Sequence, residues 1–247
     1  MTMNLNGIFF DLGFTLIEIK NFQLKNYTHL LKNGLLDLEH FLEKKGMIED
    51  SNSFYNIARK VQKECFKKYF ETEKEFSTEF ILELSFKKLN IPFSDELLEK
   101  SAEIYHKYEI KAWELKEGVK DTLEELSQNY KLAIISNAIY HKGILQILKN
   151  LKIEDYFDFV LSSAKIGVKK PNKEIFIEAL NNLKLESESC CFVGDDIHAD
   201  IFGAKRLGFK TIQIKRSFYL PTNNIVDVIP DFQISEIPEI LKIIEKI

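Results

Sequence analysis

Five short apolar runs recur along the chain: "GIFF" (7–10), "LAIIS" (132–136), "FVLSS" (159–163), "CCFVG" (190–194) and "TIQI" (211–214). The later runs are separated by segments of helical period. "KGILQILKNL" sets Ile144, Leu145, Ile147, Leu148 and Leu151 at helical spacing. In "NKEIFIEALNNL", Asn172 can cap a helix whose stripe is Ile175, Phe176, Ala179, Leu180 and Leu183. Gly208, closing "ADIFGAKRLG", reads as a helix stop. Strands that alternate with helices imply a parallel sheet covered on both faces. The expected fold is α/β, a Rossmann-like doubly wound parallel sheet.

The first interval breaks this rhythm. Residues 18–111 lie between the first run and the start of the later ones, far more than the ~30 residues of a βαβ unit. The segments "LKNYTHLLKNGLL", "SFYNIARKVQKECFKKYF", "EFILELSFKKL" and "DELLEKSAEIYHKY" all suit helices. The expected organisation is a core of residues 1–17 and 112–247, with 18–111 as an inserted, mostly α-helical domain over the sheet. Its many aromatics, among them Phe22, Tyr27, Phe54, Phe66, Phe76, Phe86 and Tyr105, are expected mainly in helix-packing stripes.

The formal charge of -4 argues against a nucleic-acid partner, which a basic stripe would announce. No apolar run reaches the ~18 residues of a membrane helix, and the N-terminus has no basic-then-apolar signal stretch. The three cysteines cannot build a disulfide framework, and Cys190 and Cys191 sit in an apolar run as small hydrophobes. The expectation is a cytoplasmic protein with no membrane partner.

Ligands of open parallel sheets bind at the carboxyl ends of the strands, so the residues after each run carry the functional signal. Asp11 and Thr15 follow the first run, and Ser136 and Asn137 close the second. Asp195, Asp196 and Asp200 follow the fourth in "GDDIHAD", and Lys170 precedes a proline in "KKPNKEIF". Each alone has an ordinary reading as a helix cap, turn residue or solvated lysine. Together they describe one shared site for an anion and a metal.

The order and spacing resemble the haloacid dehalogenase-like hydrolase superfamily, most of whose members are phosphatases. "FFDLGFTL" is similar to its first motif, D-x-D-x-T, "LAIISNA" to its second, "KKPNKEIF" to the lysine motif, and "FVGDDIHAD" to the acidic fourth. The helical insert falls where one subgroup carries its cap. The resemblance implies that Asp11 attacks phosphorus and forms an aspartyl-phosphate. It implies Mg²⁺ held by Asp11, Asp195 and the backbone carbonyl of Gly13, with Asp196 or Asp200 holding metal waters or orienting Lys170. Lys170 neutralises charge, and Thr15, Ser136 and Asn137 belong to the substrate-binding set. The implied substrate is a small phosphorylated metabolite.

Gly13 departs from the pattern, because the second aspartate of the motif is the general acid and base. Such catalysis is worth roughly 10²–10⁴ in rate. Two alternatives follow: a 2-haloacid dehalogenase-type hydrolase, which needs no metal, and a catalytically impaired phosphate-binding or regulatory member. The acidic fourth motif speaks for a metal. Arg59 is the first arginine in the chain, too late for the dehalogenase pattern near motif one. Glu18 and His198 are the nearest substitutes for the missing proton donor. Gly13→Asp is expected to meet resistance from a glycine-specific backbone or from Phe14. Lys170→Ala is expected to remove activity with little change in melting temperature.

Overall fold

The computed structural model describes residues 5–49, 53–216 and 227–247. Strands β1 (Gly7–Phe10), β4 (Lys131–Ser136), β5 (Phe159–Ser162), β6 (Cys190–Gly194), β7 (Lys210–Ile214) and β8 (Phe232–Ile234) form one sheet. Its order is β5-β4-β1-β6-β7-β8, and every neighbouring pair is parallel. β1 is central, between β4 and β6, and the chain builds outward on one side of it before crossing to the other. That is the topological switch at which such sheets bind ligands.

All four residues of β1 are buried, because the sheet is covered on both faces. Ile8 and Phe10 join Leu132, Ile134, Cys191 and Val193 in one core, packed by α5 (Val119–Ser127) and α6 (His141–Leu151). Phe9 points the other way, with Ala133, Ile135, Cys190 and Phe192, onto α8 (Lys173–Leu183). The expected α8 stripe of Ile175, Phe176, Ala179, Leu180 and Leu183 is the buried face, and Asn172 caps it through Glu174 N at 2.8 Å. Each of the larger ones, Ile175, Phe176, Leu180 and Leu183, contributes about 1.5–3 kcal/mol by leaving water. Cys190 and Cys191 face opposite cores as free thiols, and burial pushes the Cys190 thiol up to about 11.

Four helices fill the long interval: α1 (Leu24–Lys44), α2 (Ser53–Tyr69), α3 (Thr78–Lys88) and α4 (Asp95–Ala112). Leu35, Leu38, Leu42, Phe54, Phe86 and Tyr105 give them a core of their own. α1 and α4 approach so closely that a Cβ on Gly34 would lie 1.8 Å from the Tyr105 carbonyl oxygen, which only glycine permits. A short antiparallel ribbon, β2 (Ile17–Glu18) with β3 (Glu114–Leu115), brackets the helices. They are also fastened from the side. Glu75 N donates to Gly167 O at 2.8 Å, Thr78 N to Ile139 O at 2.7 Å, and Lys169 N to Glu73 O at 2.8 Å. The remaining helices are α7 (Ser163–Ile166), α9 (Gly203–Lys205), which continues a π-helix over Ile197–Phe202, and α10 (Glu239–Ile244).

Candidate active site

The register of the central strands assembles the site. Phe10 pairs with Ile134 and with Val193, so the ladder ends on three strands at nearly one level. Asp11 N donates to Val193 O at 2.9 Å, one step beyond β1, which brings Asp11 beside Asp195. Lys170 reaches across from the loop before α8. Its Nζ donates to Asp11 Oδ1 at 2.7 Å and to Ile135 O at 2.6 Å. Asp200 Oδ1 also lies 2.7 Å from this Nζ, an ion pair set off the line of a hydrogen bond. Burial opposes the charge on Lys170 but is outweighed by Asp11 and Asp200, which hold its amine well above the ordinary lysine range.

Three predicted residues turn side-chain atoms toward neighbours within the protein. Thr15 is fully buried, and its hydroxyl lies 3.1 Å from Asp11 Oδ2 and 3.4 Å from Asp195 Oδ1. It can donate to one of them at a time. Asn137 gives its whole amide to the Lys170 main chain, accepting from Lys170 N at 2.8 Å and donating to Lys170 O at 3.0 Å. Asp196 Oδ1 caps the following helix through His198 N at 2.9 Å and Ala199 N at 2.8 Å, the ordinary role of an aspartate in a loop. Ser136 stays at the cavity wall, buried at the end of β4.

Asp200 is 1% exposed and accepts from Asp196 N at 3.0 Å while pairing with Lys170. Of the two roles expected for it, the geometry provides the orientation of the lysine. One carboxylate oxygen from each of Asp11, Asp195 and Asp200 lies within 4.8 Å of the other two. Burial, and then the neighbouring Asp11 charge, raise the carboxyl group of Asp195. Burial also raises Asp200, against the pull of Lys170. Asp200 Oδ1 is buried, with Lys170 Nζ at 2.7 Å as its counter-charge. The cluster is thus a set of hard oxygen donors short of positive charge, which fits a small divalent cation.

A cavity of about 990 Å³ opens over these groups and extends under the helices. Sequence reasoning missed two features along its wall. One is Arg216, just after β7, whose Nε donates to Asp195 Oδ2 and whose Nη2 donates to Asp196 Oδ2 at 3.1 Å. Nothing local in "QIKRSF" marks this arginine, because its partners are 20 and 21 residues away. The other is a buried relay at the helical end. Tyr27 Oη donates to Glu109 Oε1, His106 Nδ1 lies 2.5 Å from Glu109 Oε2, and His106 Nε2 lies 2.7 Å from Thr78 Oγ1. Burial works against the Glu109 charge, and the His106 and Tyr27 contacts outweigh it, keeping the carboxyl group low. The i, i+3 spacing of His106 and Glu109 on α4 was the available signal. Glu18 and His198 are absent from the cavity-lining residues.

Gly13 faces the cavity next to Trp113. A Cβ built on it would meet only Trp113, at 3.5 Å, which is an ordinary contact, and the left-handed residue of this turn is Phe14, with φ 63°. The resistance expected of Gly13 itself is therefore absent. The Phe14 ring packs at 4.8 Å on Phe22 and 5.2 Å on Trp113, and its carbonyl accepts from Lys116 Nζ at 2.5 Å.

The sequence model of the family described as haloacid dehalogenase-like hydrolase matches residues 45–214. The chain belongs to this family. It is 26% identical over 242 residues to a glyceraldehyde 3-phosphate phosphatase of Pyrococcus furiosus, covering 97% of this chain and 92% of that one. It is 29% identical over 161 residues to the pyrophosphatase PpaX of Halalkalibacterium halodurans, covering 65% and 74% respectively. Among solved structures, a HAD phosphatase from Thermococcus onnurineus superposes with a TM-score of 0.62 at 21% identity, covering 97% of both chains. A 2-haloacid dehalogenase from Pseudomonas syringae gives 0.63 at 20% identity, covering 98% of this chain and 99% of that one. At these identities the structural likeness speaks to the fold. The chain is a hydrolase of this family, and its relatives in sequence favour phosphatase over dehalogenase. Among the described residues no helix is long and apolar enough to cross a membrane.

Proposed function

We propose that this hydrolase is a divalent-metal-dependent phosphatase of small phosphorylated metabolites, with Mg²⁺ as the metal and Asp11 as the nucleophile. One observation carries the reading: Asp11 sits at the cavity floor within hydrogen-bond distance of the buried Lys170, in a cluster of carboxylates short of positive charge. Asp11 and Asp195, with the backbone carbonyl of Gly13, would hold the ion. Bound there, it would supply the positive charge that lets an anionic nucleophile approach an anionic phosphate.

The chain's own residues do the rest. Lys170 neutralises charge on Asp11 and the phosphoryl oxygens, and Asp200 keeps its amine in place. Asp11 forms a bond to phosphorus as the bond to the leaving oxygen breaks, and that oxygen departs with the electron pair. Water then attacks the same phosphorus, freeing Asp11 and inorganic phosphate. Ser136 and the backbone at Asn137 receive the phosphoryl group, while Thr15 and Asn137's side chain keep the carboxylate and lysine in register. Helices α1–α4 act as a cap that closes the cavity against water. The names of the phosphatase relatives support a small phosphorylated substrate. A halide-displacing reaction would leave the acidic cluster beside Asp11 without a use.

Two measurements test this reading. Mg²⁺ should raise the melting temperature as well as switch on hydrolysis of an aryl phosphate. A ligand at 100 times its Kd stabilises the folded state by about 2.7 kcal/mol. Hydrolysis that continues unchanged in excess chelator would refute the metal dependence.

Gly13 makes the second prediction. With no proton donor at that position, aryl phosphates should turn over far faster than alkyl phosphates. At Gly13 a Cβ meets only an ordinary contact, and Gly13→Asp should raise alkyl turnover, by up to the ~10²–10⁴ of general acid–base catalysis. Equal rates on alkyl and aryl substrates in the wild type would show that another group delivers the proton.

A further inference from the structure

Arg216 has no part in the chemistry above, yet it grips the centre of the site. Its guanidinium forks across two successive carboxylates, with Nε on Asp195 Oδ2 and Nη2 on Asp196 Oδ2 at 3.1 Å. A planar fork of this kind suits carboxylates better than an ammonium does. One of the two oxygens of Asp195, a member of the carboxylate cluster with Asp11 and Asp200, is thereby taken by a cation belonging to the chain.

At full ionisation the site holds four carboxylates, Asp11, Asp195, Asp196 and Asp200, against two cations, Lys170 and Arg216. Two negative charges remain, which one divalent ion would balance. The two cations differ in how firmly they are held. The side chain of Lys170 is 1% exposed and fixed from three sides, whereas that of Arg216 is 18% exposed and approaches from the strand end. Arg216 is the cation that can give way.

We propose that Arg216 is an internal counter-cation that holds Asp195 in the metal-free protein and competes with the divalent ion for it. The inference rests on the metal-dependent reading above. Arg216 offsets repulsion among the clustered carboxylates when no ion is bound, and it sets the ion concentration at which the site fills. When the ion enters, the guanidinium leaves Asp195 Oδ2 and keeps its contact with Asp196.

Calorimetric titration of the full chain with Mg²⁺ tests this in wild type, Arg216→Gln and Arg216→Lys. Arg216→Gln should bind Mg²⁺ at least about 5-fold more tightly, the lower end of ordinary coupling between two ligands. Arg216→Lys, which keeps the charge but loses the fork, should fall between the two. In wild type the Arg216 Nε–H resonance should be protected from exchange without metal and lost as Mg²⁺ saturates the site. Equal or weaker binding by Arg216→Gln, or an Nε–H resonance that survives saturation, would overturn the competition while leaving the metal site intact. If neither wild type nor Arg216→Gln binds Mg²⁺ or Mn²⁺, the metal-dependent reading itself falls, and the competition with it.

Discussion

Lys170→Ala should lose ~10²–10³-fold in activity, in line with the removal of a preorganised charge-stabilising donor, and should also unfold more easily. The second effect reverses the expectation from sequence, which treated the lysine as a catalytic group with little structural part. Lys170 is 3% exposed and pairs with Asp11 and Asp200. Breaking a buried pair by removing one partner costs about 3–5 kcal/mol. For a chain of this size, that is a fall in melting temperature of roughly 6–20 °C. Protonation of Asp200 would soften the loss, so the fall should be smaller in acid than at neutral pH. Lys169→Ala is the control, since that side chain reaches Tyr69 O at 3.1 Å, away from the carboxylates. A Lys170→Ala protein that melts with the wild type would show that the buried triad is not formed.

Asp11→Asn should remove activity more completely, by ~10⁴-fold or more, as expected when a nucleophile is deleted. Its stability should stay within about 1 kcal/mol of wild type, close to the range for substitutions that break no packing. The amide keeps the volume and can still accept from Lys170, while one of three crowded carboxylates loses its charge. Rate and melting curve together separate the two variants: Lys170 carries both structure and chemistry, and Asp11 mainly chemistry. Appreciable turnover by Asp11→Asn would mean that a different group attacks phosphorus.

The sheet was legible because each of its five longer strands is an apolar run, and α6 and α8 between the later ones carry stripes that repeat at 3.6 residues. β8 was not, since Phe232–Ile234 is three residues long and follows Pro230 and Asp231, which read as a turn. The strand exists because β7 offers it an edge, and Asp231 anchors it by accepting from Thr211 N at 2.9 Å. In the site, the residue types were visible from sequence but their division of labour was not. Thr15 and Asn137 are polar strand-end residues like Ser136, and only the fold shows their side chains turned toward Asp11 and Lys170. Arg216 lay beyond reach for a related reason. Its meaning comes from β6 and β7 lying side by side, a pairing that no local pattern encodes.

The β2–β3 ribbon, finally, has a consequence for how such a chain can diversify. Ile17 faces Leu115 and Glu18 faces Glu114, so the strand leaving the sheet and the strand returning to it are immediate neighbours. From the side of the sheet, residues 19–113 are one long loop whose ends are already joined. Each doubling of loop length adds only about 0.6 kcal/mol of closure entropy. Changes in the length of this insert therefore cost the sheet little closure entropy, provided that the bonds of Glu73, Glu75 and Thr78 to the core loops are kept. Asp11 and Asp195 stay where the strand ends put them, while the chamber above can be remade around them.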